Sequence, residues 1–97
     1  MSDPTLLVLA SLAEGDKHGY AITTDIADQV GVRLGPGTLY AVLARLEDRG
    51  LIEALPAEGR RRPYRLTAAG AAELSAQATH MRKLATLSLD RLRLDPA

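Results

Sequence analysis

The 97-residue chain has the length of a single domain, and its composition, 46% hydrophobic and 25% charged, is that of a folded globular protein rather than a disordered one. It contains no cysteine, which excludes disulfides, thiolate metal sites and a cysteine nucleophile and suits a cytoplasmic protein. Twelve basic residues balance twelve acidic ones, which excludes a uniformly basic nucleic-acid binder, but the charge is unevenly spread: residues 33–65 hold seven arginines against four acids, whereas residues 1–32 hold one lysine against five.

The N-terminus has no basic leader, and the aliphatic stretch from Leu6 to Ala10 is too short to span a bilayer, so neither export nor membrane insertion is expected. Asp3-Pro4 supplies a capping carboxylate and a residue suited to the first helical position. Leu6, Leu9, Ala10 and Ala13 then share one face, which predicts a helix over about residues 4–14. Gly15 to Gly19 has the composition of a connector. Ile22, Ile26 and Val30 recur every four residues, predicting a second helix from near Tyr20 to a stop at Gly31. Gly35-Pro36-Gly37-Thr38 breaks the pattern, and Leu39, Val42, Leu43 and Leu46 restart it in a third helix that runs to Arg49, with Gly50 as its stop. Its exposed side carries Thr38, Ala41, Arg45 and Asp48, small at the start and basic in the middle.

After Gly50 the period becomes two: Leu51, Glu53 and Leu55 point one way, Ile52 and Ala54 the other. A second strand at Tyr64-Arg65-Leu66 completes a hairpin whose tip, residues 56–62, is rich in turn formers and arginine. Thr67 caps a last helix from Ala68 to Leu94, roughly 40 Å long at the helical rise. Along it Ala71, Leu74, Ala78, Met81, Ala85, Ser88 and Leu92 alternate spacings of three and four, a seam for lengthwise packing, and Leu84, Leu87, Leu89 and Leu94 widen it. Such a stripe exceeds what a small body can cover, so self-association is the stronger reading over folding back. Residues 1–67 are expected to form one folded unit and residues 68–97 a dimerisation helix packed on it.

Three helices, a hairpin and a long helix, with a tight turn between the second and third, predict a mostly α fold with a small β-hairpin: a winged helix-turn-helix with a long C-terminal dimerisation helix. In that arrangement the third helix enters the major groove by its N-terminal end, and the hairpin lies over adjacent backbone or minor groove. Pro36, Gly37, Thr38 and Tyr40 open that helix with free backbone N–H groups, a hydroxyl and a phenol. Arg60, Arg61 and Arg62 at the hairpin tip suit phosphates or a narrow minor groove.

Lys17-His18-Gly19-Tyr20, Gly37-Thr38-Leu39-Tyr40, the run from Leu43 to Ile52, and Tyr64-Arg65-Leu66-Thr67 followed by Gly70 together resemble, in order, the PadR-like regulators, named for control of a phenolic acid decarboxylase. The resemblance implies a homodimeric transcriptional repressor whose C-terminal helix packs on the partner's first and last helices, which adds Leu6 to the expected interface of Leu74, Ala78, Met81, Leu84, Ala85, Ser88 and Leu92. It implies backbone or base-edge contacts for Tyr20 and Tyr40, a contact for Thr38 at the helix start, and a wing contact for the arginines. Partners on this reading are a pseudo-palindromic double-stranded operator, a second copy of the chain, and a small hydrophobic effector. The last helix has neither Trp nor Phe, so effector stacking between aromatic rings is not carried over. Pro63 replaces one of the two aromatic residues the family often places before Arg-Leu-Thr, which stiffens the wing.

Plainer readings stand beside these. The arginine run can be a solvated loop, Tyr40 can pack beside Leu39 and Leu43, and Tyr64 is expected in the core. His18 and His80 lack companions for a metal site, His18 being more plausibly a connector or cap. No nucleophile and base set or phosphate loop has local support, so neither an enzyme nor a cofactor is expected. An alternative of another class is a protein partner docking on the winged-helix surface.

Overall fold

A computed structural model describes residues 3–93. The elements in chain order are α1 (Pro4–Glu14), β1 (Lys17–His18), α2 (Gly19–Val30), α3 (Pro36–Asp48), β2 (Ile52–Ala54), β3 (Pro63–Leu66) and α4 (Ala68–Arg93). Leu94 lies outside the described residues.

Asp3 caps α1 as its sequence suggests, its Oδ1 accepting from the Thr5 amide at 2.9 Å ahead of Pro4. The buried face differs from the expected one. Val8, Leu9, Ser11 and Leu12 are buried, whereas Ala10 and Ala13 are exposed and Leu6 is half-buried. Alanine contributes little apolar area, so the larger side chains set how the helix rotates onto α2, α3 and α4. Burying Ser11 is accommodated by a polar clasp: its hydroxyl donates to Asp25 Oδ2 at 2.7 Å. Lys17 Nζ donates to the Ser11 carbonyl and pairs with Glu14 at 2.9 Å. This joins α1, the following strand and α2, and no buried side-chain polar atom among the described residues lacks a partner.

In α2, Ile22 and Ile26 are buried, but Val30 is 52% exposed, because the last turn runs past the edge of the core. Gly31 ends it in the left-handed region at φ 74°, its amide donating to the Ala27 carbonyl at 3.0 Å. Leu39, Val42, Leu43 and Leu46 of α3 are buried with Leu51 and Ile52 beyond it, and with Val8, Leu9, Leu12, Ile22, Ile26 and Leu34 they form the core.

The sheet has three antiparallel strands in the order β1-β3-β2. The predicted hairpin forms its larger part, with Ile52 opposite Leu66 and Ala54 opposite Tyr64. The segment read as a connector contributes the third strand, Lys17 facing Tyr64 and His18 facing Pro63. Strict alternation fails at the start of the hairpin: Leu51 and Ile52 are both buried, since Leu51 still belongs to the turn leaving α3, its amide donating to the Leu46 carbonyl at 3.0 Å.

Thr67 does cap α4. Its Oγ1 accepts from the Gly70 amide at 3.0 Å and donates to the Gly50 carbonyl at 2.7 Å, so one hydroxyl ties the last helix to the turn after α3. Among the described residues of α4, Gly70 alone is buried and Leu74 is half-buried against the core; beyond Ser75 the described helix is exposed. No helix among the described residues is long and apolar enough to cross a membrane.

Candidate nucleic-acid interface

Helix α3 begins at Pro36 with Gly35 in the capping position and no side-chain cap. Proline has no amide hydrogen, and the first helical bond is donated by Leu39 to the Gly35 carbonyl at 2.9 Å, so the Gly37 and Thr38 amides are left for an external acceptor. Pro36, Gly37, Thr38, Ala41 and Arg45 are all exposed. The amphipathic period of α3 accounts for this, since its apolar stripe faces α1 and α2 and leaves the opposite side to solvent.

Tyr40 lies on the surface rather than in the core, with 56% of its area exposed, and Tyr20 is 76% exposed. The Tyr40 ring rests against the start of α2: a Cβ built on Gly19 would lie 2.9 Å from the Tyr40 hydroxyl. Glycine at 19 therefore lets the first turn of α3 approach α2 with a phenol between them. Tyr64 is half-buried behind this surface, in keeping with its expected packing role. Burial raises its phenol pKa above the ordinary value, the Glu47 carboxylate and Tyr40 add to that, and Arg62 opposes it.

The wing tip is ordered by its own backbone. Glu58 and Arg61 exchange amide–carbonyl bonds of 2.6 and 3.1 Å across Gly59, which has φ 63°. The three arginines have distinct surroundings. Arg62 Nη1 donates to the Leu55 carbonyl at 2.8 Å, bracing the hairpin, Arg61 Nη1 lies 3.5 Å from His18 Nε2, and Arg60 is exposed. Arg65, on the outer face, pairs with Glu53 at 3.3 Å and Asp16 at 3.6 Å.

These pieces meet in one place. A cleft of about 280 Å³ is bounded by Tyr20 and Tyr40 on the helical side and by Arg60, Arg61 and Arg62 on the wing, and His18, Gly19 and Tyr64 complete its lining. Pro36 joins Tyr20 and Tyr40 around a neighbouring cleft of about 280 Å³. Gly37, Thr38, Ala41 and Arg45 line neither cleft and continue the surface along α3. His18 was not among the expected contacts. Its place in the Lys17-His18-Gly19-Tyr20 motif was the available signal, but its approach to the wing depends on β1 pairing with β3.

The expected self-association residues lie elsewhere. Leu6 and Met81 line one groove of about 280 Å³ between α1 and α4, together with Leu9, Arg49 and Gln77. Ala78, Met81, Leu84, Ala85, Ser88 and Leu92 are exposed, and Ser88 donates its hydroxyl to the Leu84 carbonyl at 2.8 Å, satisfying it within its own helix.

Residues 8–76 match the model of the transcriptional regulator PadR-like family. The chain is 40% identical over 83 residues to the transcriptional regulator Rv3488 of Mycobacterium tuberculosis, covering 82% of this chain and 77% of that protein. It is 48% identical over 83 residues to an uncharacterised 37.1 kDa protein in transposon TN4556 of Streptomyces fradiae, where the match covers 86% of this chain but only 24% of the relative. Among solved structures, a PadR family regulator of Clostridium difficile shares the fold with a TM-score of 0.82 at 24% identity, over 92% of this chain and 97% of that one. Bacillus subtilis PadR in complex with operator DNA aligns with a TM-score of 0.68 at 26% identity, over 76% of this chain and 46% of that one. The family model thus spans the Ser11 clasp, the Gly19–Tyr40 contact, the wing and the Gly70 junction, and the chain belongs to the PadR-like family of transcriptional regulators.

Proposed function

We propose that the protein is a cytoplasmic, sequence-specific DNA-binding repressor that acts as a homodimer on a pseudo-palindromic operator. The observation that carries this reading is the convergence of Tyr20, Tyr40 and the wing arginines on one cleft beside the uncapped start of α3. That surface offers amides, phenols and guanidinium groups without a carboxylate in the cleft lining, the chemistry a phosphate backbone requires. The α3 helix enters the major groove with Thr38, Ala41 and Arg45 at base edges, and the wing engages the neighbouring backbone. The operator complex of the B. subtilis neighbour supports this assignment by likeness.

Dimerisation follows from α4, where Met81, Leu84, Leu87, Leu89 and Leu92 are each 45–73% exposed on a helix that leaves its own core after Leu74. On this reading a second copy covers this face, and a pseudo-palindromic operator requires the two recognition helices to stand about 34 Å apart, one turn of DNA. A small hydrophobic effector releases the repressor by binding one separation of those helices better than the other.

The test is a titration of the purified protein against the DNA upstream of its own coding sequence, in competition with random duplex and at two salt concentrations. Selective binding that weakens with salt supports the reading. Binding to no duplex at low salt refutes it and favours protein docking on the same surface.

A further inference from the structure

We propose that His18 and Arg61 form a two-donor clamp on one backbone phosphate of bound DNA, because the geometry leaves both their facing nitrogens as donors with no acceptor between them. The proposal deepens the DNA-binding reading above and rests on it. His18 caps α2 through Nδ1, which accepts from the Ala21 amide at 3.4 Å. A neutral imidazole has one accepting and one donating nitrogen, so the tautomer that keeps this cap carries its proton on Nε2. Nε2 lies 3.5 Å from Arg61 Nη1, and guanidinium has no acceptor. In the capping tautomer the pair cannot satisfy one another. Two N–H groups at that separation can both reach a single oxygen lying in front of them, and an anionic oxygen gains most from the arrangement.

The surroundings agree. No carboxylate among the described residues lines this cleft, and the remaining polar groups are Arg60, Arg62 and three phenols. His18 is also held in place before any ligand arrives, by strand pairing opposite Pro63 and by its cap, and the two bonds to Glu58 hold the Arg61 backbone while its guanidinium extends from an exposed residue. Holding donors in advance removes part of the ordering entropy from binding. His18 is thus a positioning cap and a phosphate contact at once, through different ring atoms.

Those two roles separate by substitution. In His18→Asn the short amide oxygen can still cap α2, but no group reaches the position of Nε2; in His18→Gln the amide nitrogen reaches that position and the cap is weakened. With the upstream duplex as probe, His18→Asn is expected to melt as wild type yet bind about a hundredfold more weakly, as for removal of one hydrogen bond to a charged group from each half-site. His18→Gln is expected to bind close to wild type while melting lower. In duplexes carrying one neutral methylphosphonate, a single position in each half-site should erase the difference between wild type and His18→Asn. If His18→Asn binds as tightly as wild type, or its deficit persists at every methylphosphonate position, the clamp is wrong and DNA binding stands. If wild type itself binds no duplex at low salt, the DNA reading fails and the clamp with it.

Discussion

A methyl group added to Gly70 would sit 2.0 Å from the Leu51 carbonyl oxygen and 2.7 Å from Leu66 Cδ1, so the first turn of α4 touches backbone that cannot retreat. Gly70→Ala should lower stability by about 3 kcal/mol in urea denaturation through overpacking, against the gain of about 1 kcal/mol that alanine brings to an exposed helix position. A more stable variant would show that the junction yields. At Gly19 the nearest obstacle is the far end of the exposed Tyr40 side chain, which can swing away, and Leu39 Cδ2 at 3.3 Å need give by only a few tenths of an ångström. Gly19→Ala should therefore leave the melting temperature within a few degrees of wild type while reducing DNA affinity by displacing the phenol; unchanged affinity would exclude Tyr40 from the interface. Tyr64 gives a pH prediction. Its folded pKa is raised above 10.0, mainly by burial, so its contribution to stability is complete below that value and is lost as pH rises through the folded pKa. Denaturation midpoints should fall above about pH 10, and Tyr64→Phe should flatten that fall; an identical slope in the variant would assign it to other groups.

Among the elements, the wing combines two kinds of arginine. Arg62 braces the hairpin through the Leu55 carbonyl, whereas Arg60 is exposed at the tip, so Arg60→Ala is the cleaner probe of a phosphate contact. Replacing Arg60, Arg61 and Arg62 together should weaken binding to all duplexes alike and flatten the log–log salt dependence by about 0.9 for each phosphate that is no longer neutralised. Thr38→Ala, in the first turn of α3, should instead change the preference among sequences; a selection experiment returning the wild-type preference would move readout to Ala41 and Arg45. Strand β1 was not legible in the sequence. Two residues carry no periodicity, and Gly15-Asp16 before them and Gly19 after them have the composition of a turn. Only the presence of β3 alongside turns Lys17–His18 into a strand and brings His18 to the wing. The two strands of the hairpin, though not their register, were easier to read, because apolar residues including Ile52 and Leu66 flank a turn-rich loop.

For the whole molecule, the described chain spans 59 Å in its longest dimension against 25 and 20 Å in the others, the long axis reflecting a last helix that outruns its core. The proposed dimer covers that helix. Sedimentation should give twice the chain mass at micromolar concentration, and Leu84→Glu with Leu92→Glu should shift the protein to monomer; a monomeric wild type would sink the proposal. Helical period, Asp3, Gly31 and Thr67 determined where the helices start and stop, and the alternation around an arginine-rich loop determined the hairpin, because these are local properties of neighbouring residues. Tertiary structure decided which face of α1 is buried, since Val8 and Leu12 outweigh Ala10 and Ala13 only once three other helices offer them surface. It also decided that Tyr40 is exposed and Tyr64 half-buried, as both sit beside apolar neighbours in sequence. The cleft joining Tyr20, Tyr40, His18 and the wing is tertiary in origin as well, because more than forty positions separate His18 from Arg61 and only packing across the sheet closes that distance to 3.5 Å.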